Sequence, residues 1–185
     1  MHHSSVNRRS FLRFAAVGTA SALGFAPPVI AGVESEARLQ LFNTHTKEFL
    51  DVIYRRGDRY DRGALNQIDF LMRDHRENIS VEMDVSLVDL MHSLYISSGA
   101  KSPFRVVSGY RTPKTNAMLR NKSVAKGVAK NSFHMYGQAA DLFVPEMPAA
   151  QLAKFARQLH VGGVGTYSRK GFIHVDTGPE RKWGR

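Results

Sequence analysis

The chain has no cysteine among its 185 residues. That rules out a disulfide framework and any thiolate metal site, so a metal ion here has only His, Asp and Glu to hold it. Acidic residues are scarce as well: 16 Asp and Glu stand against 26 Lys and Arg, for a net charge of +10 and a pI near 10.1. A field of that sign attracts nucleic acid, anionic lipid or a carboxylate-bearing cell-wall polymer without choosing among them. The interleaved basic and aromatic residues of a nucleic-acid platform are missing, so no nucleic-acid partner is expected. No apolar run reaches the roughly 20 residues needed to span a bilayer. The stretch from Phe14 to Ala26 is too short and is softened by Gly18, Thr19, Ser21 and Gly24. Internal repeats are absent, which excludes a solenoid. What is present, 43% apolar and 23% charged residues, is ordinary globular composition in one domain's length.

The N-terminus reads as an address. Asn7-Arg8-Arg9-Ser10-Phe11-Leu12-Arg13 resembles a twin-arginine export signal, and the short apolar stretch follows it. Val29-Ile30-Ala31 places small or short residues where a signal peptidase cuts, so cleavage before Gly32 is expected. Residues 1–31 are thus read as a signal peptide for the twin-arginine export machinery. Residues 32–185 are read as one periplasmic domain with no stable membrane span after processing. Removing 1–31 takes away Arg8, Arg9 and Arg13 and no acid, which leaves +7. The basicity belongs to the domain. An exported domain without disulfides must draw its stability from packing, and from a metal if it holds one.

Two strand-like runs, Arg38 to Phe42 and Glu48 to Tyr54, flank the polar turn Asn43-Thr44-His45-Thr46 and predict a β-hairpin. Leu65, Ile68, Leu71 and Met72 recur at helical spacing, as do Leu87, Leu90, Met91 and Leu94, with Gly99 and Pro103 as stop signals. Phe104 to Ser108 reads as a strand, and Thr112-Pro113 opens a third helix. Asn121 to Asn131 is a basic loop with Lys122, Lys126 and Lys130. It reads equally as a substrate-gripping lid or a solvated linker. A strand over Ala139 to Val144, a helix over Pro148 to His160 and a hairpin from Val161 to Asp176 complete the chain. Strands at both ends with helices between them predict an α+β fold with an antiparallel sheet.

The chemistry concentrates in Ser132-Phe-His-Met-Tyr-Gly-Gln-Ala-Ala-Asp141 and in Ile173-His-Val-Asp176. His134, Asp141 and His174 offer two imidazoles and a carboxylate, the ligand set of a catalytic zinc ion with a fourth position for water. Strand alternation puts Phe172, His174 and Asp176 on one face and Ile173 and Val175 on the core side; Asp141 and Phe143 share a face in the same way. Gly137 lets the loop double back toward Asp141. In Ser108-Gly-Tyr-Arg-Thr112, Gly109 allows a tight turn and Arg111 is presented at the cleft edge. There it would bind a substrate carboxylate with both arms, or tie down a loop through an internal ion pair.

Three motifs carry a family resemblance: Ser108-Gly-Tyr-Arg with Thr115-Asn116, Ser132-x-His-x-x-Gly-x-Ala-x-Asp141, and Gly163-Val-Gly-x-Tyr167 with His174-Val-Asp-Thr-Gly178. Across roughly residues 38–183 the chain resembles the YcbK-like murein endopeptidases. They fall within the wider group of D-Ala-D-Ala metallopeptidases related to the hedgehog zinc domain. The resemblance implies that fold and a periplasmic zinc peptidase acting on peptidoglycan stem peptides. It also implies His134, Asp141 and His174 as Zn2+ ligands and Arg111 as the residue for a substrate carboxylate. The chain departs from the wider group at Gly171, where a carboxylate three residues before the last histidine serves as general base, and at Phe172, often a histidine. Asp176 is then the candidate base by its face, or else the residue that orients His174. The alternative is a non-catalytic zinc-containing wall-binding module of the same fold.

Overall fold

The computed structural model describes residues 35–122 and 128–184. The signal-peptide expectation and the middle of the basic loop lie outside the described residues. Strands β1 (Glu36–Asn43) and β2 (Phe49–Arg56) form the expected hairpin. Asn43 builds its turn: the side-chain oxygen accepts from the backbone N–H of His45 and Thr46 at 2.9 and 3.1 Å. Its amide nitrogen donates to the Leu71 carbonyl at 2.8 Å. After the two-residue β3 (Arg59–Tyr60) come α1 (Arg62–Leu71) and α2 (Val85–Ser98), each opened by an aspartate cap, Asp61 and Asp84. Gly99 ends α2 in the left-handed conformation, as its sequence signal predicts.

Strand β4 (Phe104–Ser108) leads to α3 (Pro113–Asn121), capped by Thr112. A 3₁₀ turn at Phe133–Tyr136 precedes β5 (Ala139–Phe143) and α4 (Ala149–Gln158). The hairpin β6 (Gly163–Tyr167) and β7 (Phe172–Asp176) follows, and β8 (Arg181–Gly184) ends the sheet. The eight strands lie in the order β3-β2-β1-β4-β5-β7-β6-β8.

This sheet is mixed, which corrects the expectation of an antiparallel one. β1 pairs with β4 in parallel, and β6 with β8. The first pairing follows from connectivity: α1 and α2 carry the chain back so that β4 starts at the same end as β1. The second was illegible because Arg181-Lys-Trp-Gly184 is short and charged, with no strand-like alternation.

Helices α1, α2 and α4 pack on one face of the sheet. There Leu39 and Leu41 of β1, Leu142 of β5 and Ile173 of β7 meet Leu87, Met91 and Leu94 of α2 and Leu152 of α4, all fully buried. Each such side chain contributes about 1.5–3 kcal/mol by leaving water. The opposite face of β5 and β7 is thereby left for polar chemistry.

Candidate metal centre

Pairing places Ser108 of β4 beside Asp141 of β5, Asp141 beside His174 of β7, His174 beside Gly165 of β6, and Gly165 beside Trp183 of β8. These five residues form one row across the strands, and the alternation of β5 and β7 turns Asp141 and His174 to the same side. His134 enters from the 3₁₀ turn, which Gly137 closes with a φ of 68°. His134, Asp141 and His174 are all buried, and their ligand atoms lie within 4.8 Å of one another.

Hydrogen bonding fixes both imidazole tautomers. His134 Nδ1 lies 2.7 Å from the Gly109 carbonyl, which can only accept, so Nδ1 carries the proton and Nε2 is bare. Burial, the leading cause, holds the His134 ring down to about 4, so it is neutral near pH 7. His174 Nε2 lies 2.9 Å from Asp176 Oδ2 and donates to it, which in the neutral ring leaves Nδ1 bare. The two bare nitrogens are 3.1 Å apart and sit 3.2 and 2.9 Å from the same oxygen, Asp141 Oδ1. Three electron-pair donors thus converge on one point. A second proton on His174 would satisfy one of those contacts; a divalent cation satisfies all three. Burial works against a charged His174, but Asp141 and Asp176 outweigh it and raise its affinity for positive charge. Asp141, which burial alone would push up, is held well below the usual range by His134, His174 and Arg111. The donor set fits a metal cation.

For two residues the sequence left two roles open, and the geometry bears on each. Asp176 is fully buried, and His174 stands between its carboxylate and the converging ligand atoms. It also accepts from the backbone N–H of Gly163 and Gly178 and from two nitrogens of Arg181. Burial alone would raise its pKa, but His174, Arg181 and Gly178 bring it down. A carboxylate so occupied, on the far side of a ligand, is placed to orient His174 and not to take a proton from a substrate water. Arg111 is likewise not at the cleft edge with both arms open. It is 9% exposed, its Nε donates to Ser108 Oγ at 2.7 Å, and Nη2 is paired with Asp141 Oδ2. Of the two readings of Arg111, the geometry favours the internal ion pair. Gly109 is needed for close approach and not for a positive φ: a Cβ there would lie 2.3 Å from the Met72 carbonyl oxygen. That carbonyl accepts from the next residue, Tyr110, at 2.8 Å.

A family model described as peptidoglycan L,D-endopeptidase MepK matches residues 32–183. The chain is 34% identical over 184 residues to the peptidoglycan L,D-endopeptidase MepK of Escherichia coli strain K12, across 99% of this chain and 100% of that one. To the probable peptidoglycan L,D-endopeptidase MepK of Haemophilus influenzae it is 33% identical over 187 residues, 99% and 98% of the two chains. The chain belongs to this peptidase family. The resemblance read from the three motifs is therefore a family membership, and the buried candidate ligand set lies in a member of a peptidase family.

A cleft of about 1010 Å³ opens over the ligands. Tyr167 and Phe172, stacked at 4.8 Å, form one wall. Trp183 lies beside His174, ring centres 5.2 Å apart, and over Gly165, where a Cβ would stand 2.6 Å from the indole. Asp141 is the one carboxylate among the described lining residues, and Asp176 does not line the cleft. Sequence reasoning missed Trp183, Arg181, the Gly109 carbonyl and the cleft residues His45 and Arg76. Trp183 and Arg181 reach the site only through the parallel β8 pairing, and His45 and Arg76 lie far from the motifs in the chain. No local spacing reports them. The structure also ties the end of the basic loop to α3: Asn116 Nδ2 donates to the carbonyls of Ala129 and Lys130 at 3.0 and 3.2 Å.

Proposed function

We propose that this protein is a zinc-dependent peptidoglycan L,D-endopeptidase that hydrolyses amide cross-links between stem peptides in the periplasm, after export by the twin-arginine route. The observation that carries the reading is the convergence of two bare imidazole nitrogens and a carboxylate oxygen on one point at the floor of the cleft. The cysteine-free N/N/O donor set suits zinc, and the relatives named as L,D-endopeptidases set the expectation for the bond cleaved.

When held by His134 Nε2, Asp141 and His174 Nδ1, zinc supplies a Lewis acid, which lowers the pKa of water and polarises a carbonyl. The chain's own residues do the rest. The Gly109 carbonyl and Asp176 keep both imidazoles in the ligating tautomer. Arg111 offsets the charge of Asp141 and fixes its rotation. Tyr167 and Phe172 offer an apolar wall along which a peptide lies. Among the described residues no helix is long and apolar enough to cross a membrane.

Purified protein should release monomers from defined dimeric muropeptides, read by mass spectrometry. The activity should vanish on chelation, return with zinc, and be lost together with bound metal in His134→Ala. The lack of a cleft carboxylate beyond Asp141 among the described residues supports a second reading, a non-catalytic wall-binding module. Zinc-loaded protein that leaves every dimer intact would establish that alternative. Retention of the protein in the cytoplasm on changing Arg8 and Arg9 to lysine tests the export route.

A further inference from the structure

Among the described residues four cationic side chains line the cleft: Arg76, Arg111, Lys170 and Arg181. Two are already committed, Arg111 to Asp141 and Arg181 to Asp176. Lys170 reaches over the Tyr167 ring, its nitrogen 6.0 Å from the centroid. Arg76 uses its backbone N–H on Asp74 Oδ1 at 3.0 Å, and its guanidinium forms no ion pair among the described residues.

Arg76 is nonetheless firmly rooted. Asp74 is 2% exposed, and its second oxygen accepts from the backbone N–H and hydroxyl of Thr112 at 2.9 and 3.0 Å. The segment bearing Arg76 is thus locked to the residue that follows Arg111. Beside it His45 lies flat on His75, ring centres 4.0 Å apart at 15°. Partial burial first, and then neighbouring cations, lower the pKa of both rings, that of His75 to about 4. Near pH 7 two neutral rings therefore flank a guanidinium that no carboxylate among the described residues pairs.

The His45 turn is joined to the end of β4, where Thr44 N–H donates to the Val106 carbonyl at 3.0 Å. With the strand order β1-β4-β5, this end of the cleft lies two strand spacings from Asp141, about 10 Å. An extended peptide covers that distance in about three residues.

We propose that Arg76, with His45 beside it, receives a free carboxylate of the stem peptide that lies across the β1–β4 side of the cleft. The assignment rests on the reading of the protein as a stem-peptide hydrolase and moves the carboxylate-binding role from Arg111 to Arg76. A planar guanidinium takes a carboxylate through two parallel hydrogen bonds, and an amide cannot replace that partner.

The test compares metal-loaded wild type with Arg76→Gln, Arg76→Lys and Lys170→Gln on dimeric muropeptides whose carboxylates are free or, in a matched set, amidated. Wild type should prefer the free acids. Arg76→Gln should lose about 10- to 100-fold in kcat/KM on them, through KM, with little change on the amidated set and no change in bound metal. Arg76→Lys should restore part of the preference. Retention of the preference in Arg76→Gln, or its loss in Lys170→Gln instead, overturns the proposal. If wild type cleaves no dimer, the hydrolase reading fails, and a binding arm still decides the subsite. The His45 and His75 ring signals should shift on titration with a stem tripeptide bearing free carboxylates, and not in Arg76→Gln. Shifts that ignore Arg76, or no shift at all, refute it.

Discussion

Replacing Asp176 by Asn separates the two roles a carboxylate at this position can play. The side chain keeps its size, so the fully buried site is not emptied. What changes is the partner of His174 Nε2, now 2.9 Å from a carboxylate oxygen. An amide is a weaker acceptor and, turned the other way, presents N–H to N–H. The ring then loses part of its preference for the tautomer with bare Nδ1. Loss of such a supporting partner typically costs 10- to 100-fold in metal affinity, about 1.4–2.7 kcal/mol. A stability loss accompanies it, because Arg181 and the N–H groups of Gly163 and Gly178 also depend on this carboxylate. Arg181 is 38% exposed on its side chain, so solvent screens its share, and about 1–3 kcal/mol is expected for the metal-free protein. Competition with a chromophoric chelator measures the first quantity and urea unfolding of metal-free protein the second. Loss of a general base, in contrast, would leave metal affinity intact and lower kcat by about 10²–10⁴. If Asp176→Asn holds zinc within twofold of wild type yet loses that much kcat, the orienting role is wrong and Asp176 is the base.

Three further outcomes follow from the structure. Gly109→Ala forces a Cβ to within 2.3 Å of the Met72 carbonyl oxygen, so backbone must move. Urea unfolding should show a loss of about 1–3 kcal/mol, and metal affinity should fall because the carbonyl that orients His134 moves too. His75 is held down to about 4 from 6.5, by burial first and then by His45 and Arg76. The fold therefore favours the neutral ring, and this stabilisation is complete above about pH 6.5 and lost as pH falls toward 4. Replacing His75 by Phe keeps a ring on His45 and should remove that share, no more than about 2 kcal/mol, from the pH dependence of unfolding of metal-free protein. Glu146 is lowered to about 2: burial opposes the shift, and the backbone N–H groups of Ser102 and Lys101 outweigh it. Its contribution is present above about pH 4.5 and lost as pH falls toward 2, so Glu146→Gln should flatten the melting-temperature profile in that window.

Local signals carried much of this protein. The period-two alternation of Phe172 to Asp176 set His174 on the functional face and Ile173 and Val175 in the core, and the same rule placed Asp141. Signals at Gly99 and Thr112-Pro113 marked helix ends, because capping is a property of a few consecutive residues. The absence of cysteine restricted a metal to His, Asp and Glu by composition alone. Roles that depend on what lies across the sheet were out of reach. Arg111 and Asp176 both carry the chemistry of an open site, and only packing shows each of them bound to a residue of the candidate metal centre, Asp141 and His174. Trp183 arrives through a parallel pairing between strands that are not consecutive, and Arg76 shares a cleft with residues nearly a hundred positions away. Sequence spacing fixes neighbours along one strand or helix. Which strands lie side by side, and which charges they leave unpaired, is decided by burying the core as a whole.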